Sequence, residues 1–229
     1  KNAFPRQPFH RVVAISFLEA DIEYGGCGES YYLKELRSGG EAGFDEKQLL
    51  QGFFQYFEHL KPRLVSFNGR TFDLPVLKYR AMAHGIAAPR LYGAGDKWNS
   101  YQSRYSMDWH CDLLDVLRDY GASAPVKLAE VCAAMGFPGK FGVDGSQVAD
   151  MIDAGDVRAV RDYCETDVLN TYLVYLRTMQ HRGTLDHDAY NRAAADVITM
   201  IEQQGGDRPH LRAFMDAWGE ASENTFLLE

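Results

Sequence analysis

The first sixty residues pass from the spacing of β-strands to the spacing of a helix. Residues 11–18 (RVVAISFL) are rich in β-branched side chains, and an alternating pattern resumes after the glycine turn at 25–28, which predicts a β-hairpin. Asp45 and Gln48 then have the spacing of a capping box. The apolar positions in 49–57 recur on one face of the helix that follows, so we expect this helix to cover a sheet.

The middle of the chain contains a second transition from strand to helix. The apolar run at 63–67 is bounded by Asn-Gly, which predicts a short buried strand leading into a helix that ends near Gly85. Residues 86–109 are aromatic and loop-like, and residues 111–117 (CDLLDVL) fit either a strand or a helix. The predicted order up to Gly85 is β, β, α, β, α, which is typical of an α/β fold.

The second half of the chain is predicted to be helical. One helix (KLAEVCAAM) stops at Gly136, a glycine-rich connector runs to Gly145, a long helix begins near Asp156, and two further helices end the chain. No convincing linker divides the sequence, and 229 residues are enough for one sizeable core. We therefore predict a single domain, residues 1–229.

Charge and composition narrow the function only slightly. The net charge of −8 argues against a protein that coats nucleic acid nonspecifically, although it leaves room for a local basic groove or a cation site. The four cysteines are scattered without metal-ligand spacing, which favours reduced thiols and a cytoplasmic location. No apolar run approaches a membrane span. Because the first residue is Lys1 rather than a methionine, we expect residues to be missing upstream.

Asp167 is the first of two acids in chemically suggestive positions. The helix after Asp156 carries an apolar stripe, and spacing by three and four puts Asp167 on or beside it. Tyr163 lies one turn earlier, where its hydroxyl can reach the same volume. A half-buried carboxylate needs a cation, backbone donors or a proton. The pair is either a cation site or a packing tyrosine beside an aspartate that an arginine satisfies.

Asp73 is the second of these acids. It follows the strand at 63–67 and precedes Leu-Pro, so it can be the N-cap of the next helix, where proline in the first turn is tolerated. It can also bind a ligand, because ligands of open α/β sheets collect at the ends of strands. Asn68 adds an amide donor and acceptor at the same edge.

These residues together resemble a known family. The order and spacing of five of them are similar to the second and third exonuclease motifs of the DEDDy 3′–5′ exonucleases, namely Asn68, Phe72, Asp73, Tyr163 and Asp167. The strings HRVVAIS, FDLPVL, KWNSYQSRY, GFPGK and RDYCETDVLNTYLVYLR resemble the stand-alone bacterial exonucleases related to the proofreading domain of family-B DNA polymerases. The resemblance covers about residues 9–180 and leaves 181–229 as a helical C-terminal extension.

The resemblance implies a ribonuclease H-like mixed sheet flanked by helices and a site for two divalent cations, Mg²⁺ or Mn²⁺. Hard oxygen ligands suit these ions, which activate water for attack on the terminal phosphodiester. By position in the motifs, Asp167 would bind the first metal, Asp73 would contribute mainly to the second, and Tyr163 would orient the water. Asn68 and Phe72 would lie near the terminal nucleotide.

The family's first motif, a DxE pair on a central strand, leaves two interpretations open. Asp21 and Glu23 in EADIE are one candidate, but they precede a glycine turn and have the pattern of an exposed hairpin tip. The alternative, which we favour, is that the motif and its strand lie upstream of Lys1. In that case the activity of the chain by itself is uncertain.

A loop-like stretch interleaves cationic and aromatic side chains, namely Lys97, Trp98, Tyr101, Arg104 and Tyr105. This pattern suits a single-stranded 3′ end, whose bases stack on rings while cations contact phosphates. We assign Lys97, Trp98 and Arg104 as candidate substrate-binding residues. The alternative is that the rings anchor a long loop to the core.

The predicted function is a metal-dependent 3′–5′ exonuclease acting on single-stranded or frayed ends, DNA more than RNA. The sequence leaves two rivals open. One is a 3′–5′ exoribonuclease of the same fold, because the contacts that read a 2′-hydroxyl cannot be placed. The other is a noncatalytic nucleic-acid-binding module without the first motif.

Overall fold

The computed structural model describes residues 5–26, 28–39, 43–140 and 147–228. Within these residues the chain forms four strands and nine α-helices. In order they are β1 (Ile15–Gly25), β2 (Gly28–Gly39), α1 (Glu46–Leu60), β3 (Leu64–Ser66), α2 (Asp73–Ala83), α3 (Pro89–Gly93), β4 (His110–Asp112), α4 (Leu113–Leu117), α5 (Leu128–Met135), α6 (Val148–Asp153), α7 (Val157–His181), α8 (His187–Gln204) and α9 (Pro209–Ala221).

The predicted α/β order is confirmed. The hairpin strands, α1, β3 and α2 follow one another as expected, and the second half is helical. The ambiguous residues 111–117 contain both elements, because β4 ends at Asp112 and α4 begins at Leu113. Asp112 makes this change possible, since its side chain accepts a hydrogen bond from the Leu114 N–H and so caps α4.

The capping box that starts α1 is also confirmed. The Asp45 carboxylate accepts the Gln48 N–H at 2.9 Å, and the Gln48 side chain accepts the Asp45 N–H at 2.9 Å. Helix α1 then buries Leu50, Phe54 and Phe57.

The chain divides into two compact units, so the predicted single domain stays a prediction. The first unit comprises Lys1–Ile15 and Gly39–Pro125, and the second comprises Ser16–Ser38 and Val126–Glu229. Strands pair within two separate sheets of two strands each, β1 with β2 and β3 with β4. The predicted ribonuclease H-like mixed sheet is not established by this pairing among the described residues.

In the first unit, β3 and β4 run parallel, with Leu64 opposite His110 and Ser66 opposite Asp112. Both strands therefore end at the same edge, where β3 continues toward α2 and β4 continues into α4. The apolar core of this unit draws on the helices and the adjoining loops: Val12, Leu50, Phe54, Phe57, Leu74, Val76, Leu77, Ala81, Leu91, Ala94 and Tyr101.

In the second unit, α7 is the central element and contacts α5, α6, α8 and α9. Its apolar face is fully buried at Leu169, Leu173 and Leu176. None of the helices in the described part of the chain is both long and apolar enough to cross a membrane.

Glu46 is buried in the first unit, where its carboxylate bonds to several residues. Its carboxylate accepts the Val12 N–H at 2.7 Å, the Arg80 Nε–H at 2.8 Å and a contact from His84 Nε2 at 2.9 Å. Burial by itself raises the pKa of Glu46, but the hydrogen bonds from Arg80, His84 and Val12 outweigh it and lower the pKa to about 2. The first turn of α1 is thereby joined to α2 and to the segment before β1.

We predict that Glu46 makes the protein sensitive to acid. Because its folded pKa lies below the ordinary value of 4.5, its contribution is present above that pH and is lost as the pH falls toward 2. Glu46→Gln should lower the free energy of unfolding at neutral pH by about 3 kcal/mol. It should also flatten the loss of stability below pH 4.5. Urea denaturation over this range measures both effects.

The matched control is Glu202→Gln, which removes a carboxylate from the exposed surface of α8. Its unfolding curve should follow that of the wild type at each pH. Equal effects of the two substitutions would show that the contacts of Glu46 do not stabilise the fold.

Candidate active site

The loop between β3 and α2 leads directly to Asp73, the first residue of α2, and is unusually tight. Asn68 adopts a left-handed conformation with φ of 66°, which asparagine tolerates better than most residues. A Cβ atom on Gly69 would lie only 2.5 Å from Ser66 Oγ and 3.4 Å from Asp73 Oδ2, so this position requires glycine. The Asp73 carboxylate therefore lies beside the backbone of the loop, and its residue is exposed.

The alternative interpretation of Asp73 as the N-cap of α2 is wrong. The N-cap is Phe72, which makes no side-chain capping bond, and Asp73 is the first helical residue. A carboxylate in the first turn is still favoured by the helix dipole. The first position of α2 therefore suits an acidic residue, but Asp73 does not act as the cap of the helix.

Asp112 holds this loop in place, and the sequence reasoning missed it. Only 3% of Asp112 is exposed. Its Oδ1 accepts the N–H of Asn68 at 2.9 Å, its Oδ2 accepts the N–H of Arg70 at 2.8 Å, and Oδ1 also accepts the Leu114 N–H at 3.1 Å. The available signal was an aspartate at the junction of an apolar run and a helix, which is a capping pattern.

Asn68 and Phe72, the candidate nucleotide contacts, are both tied to their surroundings. The Asn68 Oδ1 accepts a hydrogen bond from Thr71 Oγ1 within the loop. The Phe72 ring packs against the apolar core of the first unit and meets the His10 ring edge to face, with centroids 5.0 Å apart. Their roles toward a nucleotide stay predictions.

The turn that contains Lys97 and Trp98 is closed by hydrogen bonds to the side chain of Asp96. Asp96 Oδ1 accepts the N–H of Trp98 at 2.7 Å and of Asn99 at 2.8 Å. Gly95 has φ of 83°, and a Cβ atom there would lie 2.1 Å from the Asn99 carbonyl oxygen. Trp98 is 79% exposed, and the Lys97 Nζ lies 4.8 Å from the centroid of its ring.

The two interpretations of the aromatic loop apply to different residues. Tyr101 is the buried anchor, with its hydroxyl donating to the Pro62 carbonyl at 2.6 Å. Trp98 and Tyr105 instead point outward, and Tyr105 is 69% exposed. Arg104 makes two hydrogen bonds to the buried Asp115, at 2.8 and 2.6 Å, and these bonds lower the pKa of Asp115. A substrate role of Arg104 stays a prediction.

Tyr163 and Asp167 lie one turn apart on α7, in the second unit, and both are half-buried. The Lys140 Nζ lies 5.8 Å from the centroid of the Tyr163 ring. The pKa of the Cys132 thiol is raised to about 12 by burial and by the negative charge of Asp167, against a backbone hydrogen bond from Gly139 that lowers it. Lys140, Cys132 and the Tyr–Asp pair therefore share one neighbourhood.

Asn170 fixes the segment that carries Lys140. This asparagine is fully buried, its Oδ1 accepts the Gly139 N–H at 3.0 Å, and its Nδ2 donates to the Gly139 carbonyl at 2.8 Å. No pattern in the sequence distinguishes Lys140 beyond its place in the string GFPGK. The rest of the glycine-rich connector, residues 141–146, lies outside the described residues.

A cluster of Asp162, Glu165 and His210 has ligand-type atoms within 4.8 Å of one another. Both oxygens of Glu165 already accept hydrogen bonds, Oε1 from Ser38 at 2.9 Å and Oε2 from His210 at 2.6 Å and from Arg208. The positive charge of the Arg208 guanidinium beside the carboxylate opposes the binding of a cation there. The donor set fits an ionic network better than a metal site.

Asp21 and Glu23 are exposed on β1, in the part of the hairpin that precedes the turn. Asp21 lies 3.6 Å from Lys34 on β2. The exposure of these two acids agrees with the expected hairpin, while the location of the first motif stays a prediction.

The candidate residues fall into the two units. The first unit contains Asn68, Phe72, Asp73, Lys97, Trp98 and Arg104, and the second contains Tyr163 and Asp167. Convergence of Asp73 and Asp167 on one metal site stays a prediction.

Comparison with known proteins defines the class. Residues 2–218 match the model of a family described as predicted 3′–5′ exonucleases related to the exonuclease domain of PolB, and the chain belongs to that family. The matched range includes Asp73, Tyr163 and Asp167, and the match confirms the resemblance stated above.

A more particular similarity is to the catalytic polypeptide of DNA polymerase epsilon from Kluyveromyces lactis. The two sequences are 38% identical over 69 residues, which is 29% of this chain and 3% of the polymerase polypeptide. The similarity therefore concerns a small part of that much longer protein.

We predict that Asn170 shields Cys132. The Cys132 Sγ lies 3.5 Å from Asn170 Oδ1, and Gly139 packs against the same cysteine. Asn170→Ala should lower the free energy of unfolding by about 1–3 kcal/mol and make the native Cys132 thiol reactive. Alkylation followed by peptide mass mapping measures the reactivity.

Asn191→Ala is the matched control, because Asn191 makes the same two-bond contact with Leu228 in the same unit. It should leave Cys132 unreactive. Alkylation of Cys132 at equal rates in both variants would contradict the assignment.

Proposed function

We propose that this protein is a metal-dependent 3′–5′ exonuclease that releases mononucleotides from single-stranded or frayed DNA. The observation that carries the proposal is the family match over residues 2–218, which includes both an exposed Asp73 after a parallel strand and the Tyr163–Asp167 pair. We also propose that the two units form one domain with a ribonuclease H-like core. The four cysteines are scattered along the sequence without metal-ligand spacing, which supports reduced thiols and a cytoplasmic location.

The donor chemistry of the two acids fits Mg²⁺ or Mn²⁺. Both offer carboxylate oxygens, Asp73 from the first turn of α2 and Asp167 from the long helix α7, and such hard ligands suit these ions. When bound, two ions activate the attacking water and neutralise charge on the attacking and leaving oxygens. In this proposal Asp167 holds the first ion and Asp73 contributes to the second.

The residues around Asp167 support a role in orienting the water. Tyr163 offers a hydroxyl one turn from the Asp167 carboxylate, at a distance along the helix that allows both to face one volume. Lys140, held by the Asn170–Gly139 bonds, adds a positive charge beside the Tyr163 ring. A cation there favours the approach of a phosphodiester.

The first unit supplies the surface for the strand. Asn68 and Phe72 flank Asp73 and would contact the terminal nucleotide. Trp98 offers an exposed ring for a base, and Lys97 beside it offers a cation for a phosphate. Arg104 would add a second cation, although it is also paired with Asp115.

Substitutions on α7 test the catalytic role. Asp167→Asn keeps the size of the side chain but removes the charge that opposes the metal, so release of mononucleotides should fall about a thousandfold. Tyr163→Phe removes only a hydroxyl and should cost about tenfold. The measurement is Mg²⁺- or Mn²⁺-dependent release of mononucleotides from 3′-labelled single strands of DNA and RNA by the full-length protein.

Asp162→Asn is the control, since it removes the same charge from a neighbouring position on another face of α7. It should leave the rate unchanged. Full activity of Asp167→Asn would contradict the proposed mechanism. Faster release of mononucleotides from RNA than from DNA would favour the exoribonuclease. Strand binding without release would favour a noncatalytic module. Loss of activity in Asp21→Asn would make that acid part of the first motif.

Binding of the strand tests Trp98. Trp98→Ala should weaken binding of a fluorescent single strand about tenfold, because stacking of one base contributes about 1–3 kcal/mol. Fluorescence anisotropy with EDTA present separates binding from hydrolysis.

Tyr92→Ala is a close control. Tyr92 is also exposed, at 58%, and also has a lysine over its ring, with Lys78 Nζ 5.5 Å from the centroid. It lies outside the proposed strand surface and should bind like the wild type. Equal weakening in both variants would remove Trp98 from the proposed site.

A further inference from the structure

Arg70 makes hydrogen bonds through both its backbone and its side chain, and they lead to different segments. Its N–H donates to Asp112 Oδ2 at 2.8 Å, which holds the loop that ends at Asp73. Its guanidinium donates to three carbonyl oxygens of one other segment, those of His110 at 3.1 Å, Ser103 at 3.4 Å and Tyr101 at 3.4 Å. One residue thus joins the Asp73 loop to residues 101–110.

The bonds of Arg70 continue to the turn that displays Trp98. Ser103, whose carbonyl accepts from Arg70, donates its own Oγ–H to the Lys97 carbonyl at 3.3 Å. Tyr101, another acceptor, is a buried anchor of the same segment. A continuous set of hydrogen bonds therefore runs from the Asp73 loop through Arg70 and Ser103 to Lys97, all within the first unit.

The Arg70 guanidinium donates its hydrogen bonds to carbonyl oxygens, although the carboxylates of Asp112 and Asp115 also favour its charge. The three hydrogen bonds of its guanidinium reach neutral carbonyls, and its half-buried position costs desolvation. A planar guanidinium can reach several carbonyls in fixed directions, which the single ammonium of lysine cannot reproduce. Such a contact holds two backbone segments at a defined separation.

We propose that Arg70 is a positioning residue that sets the separation between the Trp98 stacking surface and the Asp73 carboxylate. This inference rests on the proposed function, because it assigns to the two segments the roles of strand binding and metal binding. Arg70 itself contacts neither strand nor metal in this proposal. It acts by keeping the bound strand in register with the acid.

Steady-state kinetics of the full-length protein on single-stranded DNA test this role. Arg70→Ala should lower kcat about a hundredfold, because a misplacement of about 1 Å has this effect on a reacting group. Arg70→Lys should fail to restore kcat. Recovery with lysine would show that charge alone is needed and would overturn the proposal.

Arg80→Ala is the structural control. It removes a guanidinium from the same unit, where Arg80 bonds to the buried Glu46, so it should destabilise the fold at least as much. At a temperature where thermal melts show both variants folded, Arg80→Ala should keep the kcat and KM of the wild type. Equal losses of kcat in the two variants would reduce Arg70 to a stability role.

A double-mutant cycle with Trp98→Ala measures the coupling directly. Trp98→Ala should weaken strand binding about tenfold in the wild-type background and less than about twofold in the Arg70→Ala background. Additive effects would overturn the proposal. These binding measurements use EDTA, so they do not depend on hydrolysis.

The two proposals fail in different ways. A wild-type protein that binds strands with the predicted coupling but releases no mononucleotide would contradict the exonuclease while supporting the Arg70 link. If the wild-type protein is an exonuclease and Arg70→Ala and Arg80→Ala lower its kcat equally, the proposed function would be supported and the Arg70 link contradicted.

Discussion

The buried carboxylate of Asp112 is the constraint on which the first unit's candidate site depends. An ionised carboxylate removed from water is costly unless donors surround it, and here backbone N–H groups of Asn68, Arg70 and Leu114 do so. Because these donors belong to the loop after β3 and to the start of α4, one charge fixes two chain segments at the edge of the parallel strand pair. The exposed Asp73 therefore follows a loop whose backbone is held by Asp112 at two positions.

Buried polar side chains also hold chain segments together in the second unit, where an amide and a carboxylate form the hydrogen bonds. Asn170 uses a neutral amide to hold Gly139, and so keeps Lys140 beside Tyr163. Glu165 uses its charge to join Ser38, Arg208 and His210, and the ion pair with Arg208 explains why a cluster with metal-type residues is better described as an ionic network. A cluster of acids and histidine therefore indicates a metal site only where its oxygens do not already bind cationic side chains.

Much of the fold was accessible from the sequence because its signals are local. The capping box of α1, the strand at 63–67, the stop at Gly136 and the long helix after Asp156 all depend on residues within a turn or two of one another. The Tyr163–Asp167 pair was equally accessible, since spacing on one helix decides it. The short β4 was ambiguous because three residues are too few to show a period.

The sequence by itself determined the order of the main elements, the family and the candidate acids, but not the short helices α3 and α6. Only the tertiary structure decided that Asp73 is not a cap, that Tyr101 is buried while Trp98 is exposed, and that both oxygens of Glu165 already accept hydrogen bonds. It also revealed Asp112 and Arg70, whose partners lie about forty residues away along the chain. Hydrogen-bond partners at such separations leave no periodic pattern, because they depend on which strands pair and in what register.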